Sequence, residues 1–76
     1  MVKAVLRVFD NPTDQNVKEL LEFDPMEHYE LYSKIYDITG NNPLAINAAS
    51  WAELAPVGQL YEFEGGEVEI IDLKDK

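Results

Sequence analysis

The stretch Asn42-Pro43-Leu44-Ala45-Ile46-Asn47-Ala48-Ala49-Ser50-Trp51-Ala52-Glu53-Leu54-Ala55 decides how this chain is expected to fold. Asn42 is a candidate cap, accepting orphan amide hydrogens, and Pro43 suits a first helical position where no donor is needed. Only Asn47, Ser50 and Glu53 interrupt an otherwise apolar circumference. A helix apolar nearly all round has to be covered by other elements. The expectation is a central helix, with Trp51 in the core and Pro56 and Gly58 ending it.

Working outward, the preceding segment offers Asp24-Pro25-Met26-Glu27 as a helix start. Asp24 is read as the cap, Pro25 as the first helical residue and Glu27 as the reciprocal member of a capping box. The helix should run to about Thr39 and stop at Gly40. Leu31, Ile35 and Ile38 form an aliphatic stripe on it, with Tyr29, Tyr32 and Tyr36 beside them. Tyr29 and Tyr36 are expected to lie half-buried against the central helix, and Tyr32 is the interface candidate. Upstream, Asp14–Glu22 carries Val17, Leu20 and Leu21 at core spacing and reads as a short helix, with Thr13, Asp14 and Asn16 as rival caps.

The two ends read as strands. Val2 to Phe9 alternates Val2, Ala4, Leu6 and Val8 against Lys3, Val5, Arg7 and Phe9. Asp10-Asn11-Pro12-Thr13-Asp14 is turn chemistry. Residues 59–64 and 67–72 also alternate, and Gly65-Gly66 suits a two-residue turn. That turn sets Glu64 opposite Glu67 and Glu62 opposite Glu69. Tyr61, Phe63, Val68 and Ile70 then face the core, leaving the glutamates outside. Residues 72–76 are expected to fray. The predicted fold is α+β: a single domain over 1–76, ordered β-α-α-α-β-β, with a three-stranded, largely antiparallel sheet and helices packed on one face.

Composition limits function more than motifs do. The 76 residues include 15 Asp and Glu against 6 Lys and Arg, a formal net charge of −9, with no cysteine. A disulfide framework, a thiolate metal site and a thiol nucleophile are therefore excluded. The charge disfavours direct nucleic-acid binding and anionic membrane surfaces. No apolar run approaches the ~20 residues of a membrane span, and no signal-peptide pattern opens the chain, so the expected location is cytoplasmic.

No enzyme motif is present. His28 is the only histidine, flanked by Glu27 and Tyr29, and no catalytic triad, phosphate loop or calcium loop surrounds it. No cofactor or metal is expected.

The hairpin glutamates call for an explanation, because two like-charge cross-strand pairs at ~5 Å cost about 0.8 kcal/mol each even in water. Lys3 and Arg7 on the first strand offer a structural one, by neutralising part of the field. A functional one is a surface kept acidic for a basic partner. A second acidic region (Asp10, Asp14, Glu19, Glu22, Asp24, Glu27 and Glu30) adjoins the tyrosines.

The leading expectation is a non-enzymatic acidic binding or inhibitor protein. It would present Glu62, Glu64, Glu67 and Glu69, with Glu30 and Tyr32, to a basic protein surface. Same-face glutamates on a strand stand about 6.6–6.8 Å apart, a spacing compatible with phosphate mimicry of the kind used by small phage or mobile-element inhibitors. The alternatives are a self-associating module that pairs through an open sheet edge, with the first strand as that edge, and a small metal-dependent hydrolase.

Overall fold

The computed structural model describes residues 1–11 and 14–73, so the centre of the expected turn, the Thr13 cap and the tail beyond residue 73 lie outside it. Six elements follow in order: β1 (Val2–Asn11), β2 (Asp14–Phe23), α1 (His28–Thr39), α2 (Asn42–Leu54), β3 (Leu60–Phe63) and β4 (Gly66–Asp72). The strands form one antiparallel sheet in the order β2-β1-β4-β3. Both helices cover one face. Ala4, Leu6 and Val8 of β1 and Val68 and Ile70 of β4 meet Leu31 and Ile35 of α1 and Ala45, Ala48 and Ala52 of α2.

The segment expected as a helix over 14–22 is instead β2. Two bulges against β1, one between Val8 and Phe9 and one between Phe9 and Asn11, explain the misreading. Glu19 pairs with Val8 and Val17 with Phe9, so Lys18 is an extra residue that resets the alternation. Val17 and Leu20, three apart, consequently share the outer face, a spacing that mimics a helical stripe. The sheet has four strands rather than three. β1 is paired on both sides, so it cannot be the open edge; among the described residues β2 and β3 are the edges.

α1 begins three residues later than expected. The Asp24 carboxylate accepts from Met26 N–H at 2.9 Å, and Asp24 C=O accepts from Glu27 N–H at 2.9 Å, closing a turn before the helix. Glu27 occupies the cap position without a side-chain capping bond. The end is as anticipated: Gly40 has φ +63°, and its N–H donates to Tyr36 C=O at 2.8 Å. Asn41, not Asn42, caps α2, accepting from Leu44 N–H at 3.1 Å. With so short a connection the helices run antiparallel, and His28 Nδ1 lies 2.6 Å from Glu53 Oε1 at their other end.

α2 is not enclosed. Ala45, Ala48, Ala49 and Ala52 are buried, whereas Ile46 is half-exposed and Leu54 is 89% exposed. Alanines bring the helix close to its neighbours on one side, and its outer side stays wet. Trp51 is partly buried and packs on Tyr61 of β3, with ring centroids 5.4 Å apart.

The hairpin turn is Glu64-Gly65, one residue earlier than expected. Phe63 pairs with Gly66 and Glu62 with Glu67, while Glu69 stands opposite Leu60. Gly65 has φ +99°, a conformation open to glycine. Gly66 is drawn into β4 beside Val8. Faces are preserved because the register changes by two residues in sum: Tyr61, Phe63, Val68 and Ile70 still face the helices. One direct glutamate pair results instead of two. Asp72 does not fray: it belongs to β4, its carboxylate accepts from the Met1 amino group at 3.0 Å, and Leu73 N–H donates to Met1 C=O at 2.7 Å.

Candidate functional site

Three surfaces gather the chemistry-bearing residues. The first is the outer face of the sheet, which neither helix covers. Arg7 reaches across to β4, donating through Nη1 to Glu67 Oε2 at 3.0 Å and through Nη2 to Glu69 Oε1 at 2.8 Å. Glu67 is its direct cross-strand neighbour and Glu69 its diagonal one. All three side chains are about one-third exposed or less, which strengthens charge-assisted bonds relative to open solvent. Beside them Val5 is buried while Leu20 and Leu60 are half-exposed. Two of the four hairpin glutamates are thus held within the molecule's own ion-pair network. Glu62 and Glu64 are exposed and make no ion pair among the described residues.

This arrangement gives a direct stability test. Arg7→Met should lose about 1–2 kcal/mol in urea denaturation, since it leaves Glu67 and Glu69 partly buried and uncompensated. Adding Glu67→Gln should recover much of that loss, and high salt should shrink it. Unchanged stability in low salt would show that the bridge contributes nothing.

The second surface is the outer side of α1, on the other side of the molecule. Tyr29, Tyr32 and Tyr36 form a continuous row: centroids are 6.1 Å apart in each successive pair, and the Tyr32 and Tyr36 rings are nearly parallel, at 4°. Their burial reverses the expectation. Tyr29 is 74% and Tyr36 44% exposed, whereas Tyr32 is half-buried and its hydroxyl donates to Asn42 Oδ1. The reason is the α1–α2 junction, which draws Tyr32 toward the start of α2 and turns its two neighbours outward. Glu27, Glu30 and Asp37 flank the row, exposed and without ion pairs among the described residues. Glu30 and Tyr32 therefore belong to a different face from Glu62, Glu67 and Glu69. The fold does not bring the six expected interface residues together.

The third surface lies between α1 and β2. Helix coverage centres on β1 and β4, so the inner side of β2 is left partly open. A groove of about 340 Å³ runs there between Leu21 and Phe23 on the strand and Tyr29, Glu30, Ser33, Lys34 and Asp37 on the helix. A second cavity of about 510 Å³ continues past Lys34 and Asp37 toward Ile38, Leu44, Val8 and Gly65. Lys34 Nζ stands 3.6 Å from Glu19 Oε1, a contact that joins α1 to β2 where the second cavity begins. Sequence reading missed this feature, because it depends on β2 being a strand.

His28 is occupied by Glu53 at the far end of the helix pair. Among the described residues no group of three or more His, Cys, Asp or Glu side chains could hold a metal ion. No helix is long and apolar enough to cross a membrane. Comparison with known proteins gives no match to a family model, a curated protein or a solved structure.

Proposed function

We propose that this is a non-enzymatic acidic binding protein that docks carboxylates onto a basic surface of a protein partner. A phosphate-binding groove of a nucleic-acid-processing protein, blocked by mimicry, is the narrower form of the reading. The observation that carries it is the outer side of α1, where Glu27, Glu30 and Asp37 stand free beside the stacked tyrosines. Tyrosines held by stacking offer contact area at low entropic cost, and their faces attract cations. Free carboxylates add long-range attraction to a basic partner and raise the encounter rate. Glu62 and Glu64 on the hairpin are a second acidic contact. Glu67 and Glu69 are secondary, since a partner must compete with Arg7 for them.

The test is capture from extracts of the source cells at low and high salt, comparing wild type with Glu27→Lys/Glu30→Lys and with Glu62→Lys/Glu64→Lys. All four positions are exposed, and the hairpin variant should melt near wild type. Glu27→Lys/Glu30→Lys should melt somewhat lower but still fold, because both charges lie at the start of α1, where the helix dipole favours carboxylates. A basic partner released by high salt and lost from the first variant supports the reading. A partner held equally by both variants, or one indifferent to salt, overturns it. The competing assembly reading is favoured by the open edge of β2, and a mass that rises with protein concentration would select it.

A further inference from the structure

We infer that the groove between β2 and α1 receives an extended segment of a basic protein, which adds to the open edge of β2 as a fifth strand. This deepens the acidic-binder reading and rests on it, by naming the form in which the partner presents its charge.

Three observations converge on the groove. β2 ends the sheet, and among the described residues no strand pairs with its outer side. Over Glu19–Phe23, alternate N–H and C=O groups on that side can bind an incoming backbone, as in strand addition. Next, the wall above this edge is apolar and concave: Leu21 and Phe23 face Tyr29 across about 340 Å³. Side chains pointing alternately inward from an added strand would enter there. Finally, the rim is acidic. Glu30 and Asp37 line the groove with one cation, Lys34, which is already beside Glu19; the adjoining cavity adds Glu19, Glu64 and Asp10 against Lys18.

The bulges decide which occupant fits. They lie toward the start of β2, leaving only Glu19–Phe23 in regular register with β1. Four strand steps span about 13 Å, room for five or six extended residues. That length suits a short peptide segment better than a long continuous sheet. A second copy would also bring the acidic rim against itself, with −9 facing −9. The fitting segment therefore carries both apolar and Lys or Arg side chains on its inward-pointing residues, since Glu30 and Asp37 lie on the helix side of the groove.

The experiment pans a random octapeptide phage library against the intact chain and synthesises the enriched sequences for binding and amide NMR. The expected result is a consensus in which every second residue is apolar or basic, with both kinds represented, and shifts concentrated at Glu19–Phe23 and along α1. Asp37→Lys, at an exposed rim position, should weaken binding of the selected peptide about tenfold. Tyr29→Ser, also exposed, should weaken it without altering the melting curve. An enriched peptide that shifts other residues, an unpatterned consensus, no enrichment, or a β2-mediated dimer would each overturn the inference. If the basic partner from cell extract still binds Asp37→Lys and Tyr29→Ser in a salt-sensitive way, the groove assignment falls and the acidic-binder reading stands. If neither basic peptides nor a basic partner bind wild type, both fall.

Discussion

Gly66→Ala should remove a large part of the stability of this domain, although it adds one methyl group at a position with ordinary backbone angles. A Cβ there would stand 2.5 Å from the Arg7 carbonyl oxygen and 3.1–3.2 Å from two ring carbons of Phe63. The ring can shift, but the carbonyl belongs to the central strand, where Val8 pairs directly with Gly66. Relieving the contact means separating β1 from β4 at the very turn that closes the hairpin. Overpacking of this kind costs about 1–3 kcal/mol, and backbone as the obstacle places the cost toward the top of that range. A domain of this size holds only ~3–5 kcal/mol in total. The melting temperature should therefore fall by roughly 10 °C or more, at about 4–8 °C per kcal/mol. Trimming Phe63 to Leu in the same chain should give little rescue, because the carbonyl remains. A melt within a degree or two of wild type would mean that β1 and β4 do not approach this closely.

Leu6→Ala should have the larger effect. Leu6 is fully buried at the centre of β1, inside the cluster formed with both helices. Truncating a leucine in such a site costs about 2–5 kcal/mol through lost transfer free energy and the cavity left behind. Here that approaches the whole stability, so circular dichroism and amide dispersion should report a mostly unfolded chain at 25 °C. Leu20→Ala is the matched control, because Leu20 lies on the uncovered face of the sheet and is 53% exposed. Its cost should stay near 0.5 kcal/mol, as for surface positions generally. Equal losses at the two leucines would mean that the outer face is covered as well, and that the sheet has been assigned the wrong inside.

How far the fold was legible can be judged from the hairpin and from β2. At the hairpin the alternation Tyr61, Phe63, Val68 and Ile70 named the buried face correctly, because strand periodicity is local and strict. The register was missed by one turn position. Either Glu64-Gly65 or Gly65-Gly66 can make the turn, and the choice falls to β1, which takes Gly66 into pairing with Val8 and binds Gly65 C=O through Phe9 N–H at 2.9 Å. In β2 the bulge at Lys18 broke the alternation that would have revealed a strand. A three-residue apolar spacing then looked helical, with no nearby signal to correct it. The candidate site suffered in turn. Arg7 could be foreseen as a neighbour of the hairpin glutamates, but its double engagement of Glu67 and Glu69 requires β1 to lie against β4.

By itself, the sequence determined the long strand β1, the helix end at Gly40, the helical character of residues 42–54, the chemistry of the hairpin faces and a strongly acidic charge. These follow from patterns within a few residues of one another, where sterics, capping and periodicity act locally. Tertiary structure alone decided that residues 14–23 pair with β1, that β2 rather than β1 is the open edge, and which tyrosines reach solvent. Each depends on which element lies beside another. Strand pairing and helix docking are settled by burying apolar faces together across the whole chain, and at β2 that requirement overrode a local helical pattern.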